Sequence, residues 1–266
     1  MSGRPAPKAA TAAAPPASNE APPARRIAAQ AAFEVRSIVR NGEQLLLSVL
    51  VPVGVLIALS TTRILDAVGA DPQAGPRVDV ATAGVLGLAI ASTAFAGQAI
   101  ATAFERRYGV LRQLATTPLG AGGLVLGKLI AVCAVVASQF ALIFAIAAAL
   151  GFSAHVSVPG VLLAGVLGTA SLVSLALLMA GTLRAEATLA GANIVWVLMA
   201  GAGGILIAPP GLWGQITAIL PFGALSDAMR AAVLAGTIDW PALAVMAIWA
   251  VLGVAGCRAW FSFDGR

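Results

Sequence analysis

Two uncharged apolar runs, Val80 to Ala103 and Leu129 to Leu150, flank a short charged stretch. Each is longer than the roughly 20 residues a helix needs to cross a bilayer. Backbone that enters lipid must satisfy its own N–H and C=O groups, which leaves helices or closed barrels. The alternating strand pattern of a barrel is absent from the sequence, so the expected class is an all-α integral membrane protein. Composition agrees, since 59% hydrophobic and 10% charged residues do not make a soluble domain. The 29 Gly suit helices that approach closely in lipid. The formal charge of +5 does not indicate nucleic-acid binding, because the basic residues stand at the ends of apolar runs rather than on one soluble face.

Residues 1–24 form a Pro/Ala-rich tract with Arg4, Lys8 and Glu20 and no apolar core of the signal-peptide kind, so a disordered cytoplasmic tail is expected. From Arg25 to Asn41 the helical period sets Ile27, Ala31, Val35, Ile38 and Val39 opposite Arg25, Arg26, Arg36 and Arg40, the pattern of a helix lying in the headgroup layer. Phe33 falls among the arginines, either against a partner or at the helix flank. Six spans are expected, at about 44–62, 80–103, 129–150, 159–183, 187–208 and 241–257. Between the last two, Leu212 to Leu220 and Phe222 to Leu234 are each too short to cross and are separated by Pro221. They read as an extracellular re-entrant hairpin capped by Asp227 and Arg230. Of the 16 Lys and Arg residues only Arg63, Arg77 and Arg230 fall on the side opposite the termini, so the positive-inside rule makes both termini and the Phe104 to Leu129 stretch cytoplasmic.

Most soluble-enzyme chemistry fails on these residues. Gly122, Gly127 and Lys128 match GxxxxGK, but Leu129 follows where a phosphate loop needs Ser or Thr, and no βα unit surrounds them. Close helix packing at Gly123 and Gly127 is the better reading, with Lys128 at the edge of the third span. Cys133 and Cys257 are far apart, with no CxxC and no nearby His, and read as buried thiols; His155 is a solvated loop residue. No metal site is expected. No span holds an acid or base well inside, where insertion costs about 2.5 to 3.5 kcal/mol, which argues against an ion-coupled carrier. No paired carboxylates, HExxH or nucleophile with histidine supports a hydrolase. Ser92, Gln98, Gln139 and Asn193 remain as polar groups inside spans, which either line a path for an amphipathic or lipidic substrate or join helices by hydrogen bonds.

The charged stretch is the other candidate. As a helix, Glu105 to Leu114 carries Val110, Leu111 and Leu114 on one face and Glu105, Gly109 and Arg112 on the other, ended by Thr117-Pro118. Such a segment either docks in the groove of a soluble partner or is a solvated loop; spacing admits both. Here a resemblance adds to the residues. Glu105-Arg106, Gly109, Leu111, Leu114, Thr117-Pro118 and then Gly127-Lys128-Leu129 resemble the signature that follows the second span in permeases of type-2 ATP-binding-cassette (ABC) exporters. Arg40 to Leu46 running into Pro52 is similar to the first span of the drug and antibiotic export branch, and Leu220-Pro221 through Asp227 to Arg230 resembles the re-entrant hairpin of those permeases.

The resemblance implies a non-catalytic permease subunit in the plasma membrane, paired with a second permease, identical or paralogous, and with a dimer of a cytoplasmic ABC ATPase that binds ATP and Mg. It implies that Glu105, Arg106, Gly109, Leu111, Arg112 and Leu114 form the coupling helix against that ATPase. The helix carrying Arg25, Arg26, Phe33, Arg36 and Arg40 would help to hold it. A membrane assembly or anchoring subunit is the competing expectation, and an ion-coupled carrier a weaker one.

Overall fold

The computed structural model describes residues 22–42, 46–67, 75–115 and 120–261. Nearly all of the expected disordered tail, Asp71 and Pro72 of the first loop, Thr117-Pro118 and the residues after Phe261 lie outside them. Among the described residues the secondary structure is helical. Helix α1 is Pro23–Arg40. A π-helical turn, Leu46–Leu50, leads into α2, Val51–Thr61, and a short α3 follows at Ile64–Ala67. The long α4 is Arg77–Arg107, with a π-helical stretch at Ala91–Gly97, and α5 is Val110–Ala115. Then come α6, Gly120–Ala149; α7, Val158–Thr182; α8, Ala185–Gly201; α9, Gly211–Ala218; α10, Pro221–Leu234; and α11, Trp240–Trp260.

Four of these, Arg77–Arg107, Gly122–Ala149, Val158–Thr182 and Trp240–Trp260, are long and apolar enough to cross a membrane. The bent pair α9 and α10 makes a fifth if it counts as one span. The expected crossings at 44–62 and 187–208 are shorter as helices. The second ends at Gly201, and its 17 residues reach about 25 Å against a hydrocarbon core of about 30 Å. Its end follows from Gly201 to Gly204, with Gly204 at φ +82°, after which the chain folds back instead of continuing to Ala208. The hairpin breaks where Pro221 predicts: α9 and α10 meet at 99°, with Pro221 in the first turn of α10.

The bundle is built around α4, which is apolar on nearly every side and touches α2, α6, α7, α8 and α10. Its glycines admit the segments that follow α8. A Cβ on Gly84 would come within 2.8 Å of the Leu206 carbonyl oxygen, so the 202–206 strap lies directly on α4. The strap is pinned to α10 by Ser226, whose hydroxyl donates to the Ile205 carbonyl, and by Arg230, which donates to the Gly204 carbonyl at 2.9 Å and to Asp227 at 2.6 Å. Phe95 meets Phe222 edge to face at 5.2 Å.

The first apolar segment carries its π-helical turn just before Pro52. Pro52 has no N–H to give the Ser48 carbonyl four residues back, and that carbonyl is taken instead by Gln139 Nε2 of α6 at 3.0 Å. The same amide exchanges hydrogen bonds of 2.9 and 3.1 Å with Thr93 in the π-helical stretch of α4. Three helices are thus joined by one buried glutamine.

At the hairpin turn a Cβ on Gly223 would stand 2.0 Å from the Thr217 carbonyl oxygen, whereas Gly54 has nothing within 4 Å. Gly223→Ala is therefore expected to lower stability by about 1–3 kcal/mol. Gly54→Ala should leave it unchanged or slightly raised, the two being compared by thermal melting in detergent.

Candidate functional site

Seven residues of sequence, Phe104 to Val110, carry the main departure from expectation. The single helix expected from Glu105 to Leu114 is two: α4 runs on to Arg107, the chain turns at Tyr108 and Gly109, and α5 restarts at Val110. Gly109 sits at φ +76° with nothing within 4 Å of where a Cβ would be, so the turn needs its backbone freedom rather than its small size. Glu105 and Arg106 therefore belong to the end of a buried helix, and each of the three charges before the turn is tied to a different part of the bundle.

Glu105 meets Lys128 of α6, whose Nζ lies 3.0 Å from one carboxylate oxygen and 2.9 Å from the other. The same ammonium is 3.0 Å from Glu34 of α1, and Gln30 donates to the second Glu34 oxygen at 2.8 Å. Lys128 is 1% exposed and the Glu34 side chain 5%. The single ammonium lies between two carboxylates and offsets part of their desolvation, and the Gln30 amide supplies a further donor to Glu34. Gly127 makes the approach of α1 possible, because a Cβ there would be 2.6 Å from Gln30 Cγ. The Gly127-Lys128 pair thus admits α1 and then charges the contact. Lys128, expected at the edge of the third span, is the buried centre of the cluster. The preceding run, Gly122 to Lys128, is continuous helix and not the loop a phosphate cradle requires.

Arg106, 6% exposed, donates from both terminal nitrogens to the carbonyls of Gly181 and Leu183. These lie at the C-terminal end of α7, where carbonyls lack helical partners and the helix dipole favours a cation. Arg107 pairs with Glu186 in the first turn of α8, with both side chains half exposed or more. One turn of helix is therefore fastened to α1, α6, α7 and α8.

The residues expected to meet a partner divide accordingly. Leu111 is completely buried and Arg106 nearly so, while Arg112 is exposed, together with Gln113 and a Tyr108 that is 72% exposed. Leu114 lies in α5, but its side chain is outside the described residues. On α1, Arg25, Arg36, Arg40 and Phe33 are exposed and Arg26 half-buried, while the buried face is Gln30, Ala31, Glu34 and Ile38. The expected apolar face thus shifts onto Gln30 and Glu34, since the ion pair with Lys128 draws a charge inward. Glu34 and Lys128 were not among the expected site residues. The available signal was a single acid in a helix of four arginines.

On another side of α4 a cleft of about 710 Å³ opens between the π-helical turn before α2, α4 and α8. Ser92 and Asn193 line it, with Ser48, Phe104, Tyr108 and Trp196. Trp196 Nε1 donates to Ser92 Oγ at 3.0 Å, giving the indole's polar edge a partner. Gln139, 3% exposed, is turned inside among helices, and so is Gln98, 1% exposed, whose Oε1 has no hydrogen-bond partner. Of the four polar span residues, two therefore face the cleft and two face the core. Pro221, Asp227 and Arg230 are brought together at the opposite end of the bundle, in the strap contact described above.

A sequence profile described as ABC-2 family transporter protein matches residues 68–257, which include the Glu105 to Val110 turn, Lys128 and the hairpin but not α1. No curated protein matches the chain. With a match over most of its length and helices of membrane-spanning length and composition, the chain belongs to the ABC-2 transporter family and is a multi-pass membrane permease of that type.

Proposed function

We propose that this chain is the membrane subunit of an ATP-driven exporter and that Tyr108 to Ala115 is the lever through which a cytoplasmic ABC ATPase dimer acts on it. One observation carries this reading. The turn before the lever is fastened by Glu105, Arg106 and Arg107 to α6, α7 and α8, and through Lys128 to α1, so a push on α5 moves the end of the bundle as one piece instead of bending a loop. ATP and Mg are held by the partner chains.

In this reading the chain crosses the membrane six times, with α2 and α8 completed as crossings by their flanking residues and local thinning of the bilayer, and the α9–α10 hairpin dips into the outer leaflet. Arg25, Arg26, Arg36, Arg40, Arg107, Arg112, Arg184 and Arg258 gather at the lever end, against Arg63, Arg77 and Arg230 at the other, which supports cytoplasmic termini in a plasma membrane. A second permease, identical or paralogous, faces the cleft between α2, α4 and α8. Together the two enclose a path for an amphipathic or lipidic substrate, drugs and lipids both being compatible with walls of Phe104, Trp196 and Ser92.

The test uses the exposed side of the lever, because a charge at the fully buried Leu111 would break the fold whatever its role. Tyr108→Glu and Arg112→Glu are expected to leave thermal stability within about 0.5 kcal/mol of wild type. The pair should lower ATPase co-purification and substrate-stimulated ATP hydrolysis at least tenfold, about 1.4 kcal/mol of lost contact. Unchanged capture and unchanged stimulation would remove the lever assignment. A chain that never brings an ATPase with it, and drives no ATP-dependent transport in vesicles, would be an assembly or anchoring subunit instead.

A further inference from the structure

A second cavity, of about 550 Å³, lies at the lever end between α4, α5, α6, α7 and the last turn of α11, away from the cleft. Its walls are apolar, formed by Leu124, Leu129, Leu177 and Val254 among others, and its size falls within the roughly 300–1,000 Å³ typical of small-molecule sites. Besides Lys128 and Ser174, whose polar atoms are already engaged inside the bundle, two polar features interrupt those walls. Thr102, 1% exposed, lines the cavity with a hydroxyl that has no hydrogen-bond partner, a costly arrangement in an apolar bundle unless a ligand supplies one. At the rim, Arg258 makes no ion pair or hydrogen bond among the described residues, and it stands in the last turn of α11, where it adds positive charge at the membrane boundary.

An occupant must therefore have an apolar body, an acceptor part-way along it and an anionic head. We propose that this cavity is a binding site for one anionic phospholipid per chain, its acyl chain between α6 and α11, an ester oxygen accepting from Thr102 and its phosphate headgroup at Arg258. Placing the lipid in the cytoplasmic leaflet rests on the permease reading above. The site itself requires only that α6 and α11 stand in a bilayer. A lipid seated there touches α5 through Leu111 and α6 beside Lys128, so its occupancy bears on the same junction that fastens the lever.

The experiment is native mass spectrometry of the purified full chain in detergent, titrated with dioleoylphosphatidylglycerol or dioleoylphosphatidylcholine and without any ATPase. The first bound phosphatidylglycerol is expected to be favoured over phosphatidylcholine, and Arg258→Gln to reduce that preference about fivefold. Thr102→Val should weaken the first binding of either lipid about fivefold. Val254→Trp and Leu126→Trp, at exposed lining positions, should displace both lipids with melting temperatures near wild type. Equal affinity for the two lipids, or a preference that survives Arg258→Gln, would overturn the site. So would a Thr102→Val protein that melts higher with lipid binding intact, since the hydroxyl would then face no ligand. A wild type that binds lipid only after truncation beyond Phe261 would show that the chain's own last residues fill the cavity. Since no ATPase enters this measurement, its failure is separable from failure of the lever variants.

Discussion

Lys128→Met is expected to remove most of the folded protein from the membrane fraction and to lower the melting temperature of the remainder by about 10 °C or more. The methionine fills nearly the same space, so the loss comes from charge: Glu34 and Glu105 would be left with no cation inside the bundle. Removing one partner of a buried ion pair costs about 3–5 kcal/mol, because the group left behind pays its full desolvation. Lys128 and Glu34 are 1% and 5% exposed, so bulk water does not reach that side of the cluster, while Glu105 at 23% is only partly wetted. A triple variant, Lys128→Met with Glu34→Gln and Glu105→Gln, should recover much of that stability, since a neutral cluster has no unpaired charge to desolvate. Membrane yield and thermal melting of the two proteins in the same detergent check both halves. Wild-type stability in Lys128→Met would show that the cluster contributes nothing.

The second large effect belongs to Arg106. Its guanidinium serves two carbonyls at the end of α7, and Arg106→Met would leave the carbonyls of Gly181 and Leu183 without those donors. Each hydrogen bond to a charged group is worth about 1.5–3 kcal/mol, so a loss of about 3 kcal/mol or more is expected by thermal melting. Arg106→Lys should recover only part of it, because an ammonium on a flexible stem does not present the planar fork that reaches both carbonyls at once. If the lever works as proposed, Arg106→Lys should also lower substrate-stimulated ATP hydrolysis by more than it lowers ATPase capture. The contact surface at Tyr108 and Arg112 is untouched while its attachment to α7 is loosened. Equal loss of both would point to a purely structural role.

Much of the helix arrangement was legible from residue chemistry alone. The run Pro159 to Leu183 became a helix at Val158–Thr182, and Pro221 marked the break between α9 and α10, which lies at Ile219 and Leu220 just before it. The charged stretch was singled out correctly as the place where the oily chain is interrupted, yet its internal break was not, because Gly109 was read as one position on a helical face. A left-handed glycine and a helical glycine look alike in sequence. Leu111 misled for a related reason: an apolar residue on an amphipathic segment can face a partner or its own bundle, and here the turn at Gly109 rotates it into the core.

The polar span residues mark the sharper boundary between the two kinds of knowledge. Ser92, Gln98, Gln139 and Asn193 looked equivalent, since helices that are apolar all round carry almost no amphipathic signal to say which face turns inward. Packing separated them: Gln139 was drawn inside by the carbonyl that Pro52 leaves unserved, and Asn193 was left on the cleft with Trp196. Apolar length and the placing of charges at run ends follow from transfer free energies that each residue carries with it, so they are written locally. The meeting of Glu34 and Lys128, 94 residues apart, depends on α1 reaching α6 over Gly127, and no local pattern encodes a distance between two helices. Solvation chose the helices, and close contact between their surfaces chose the site.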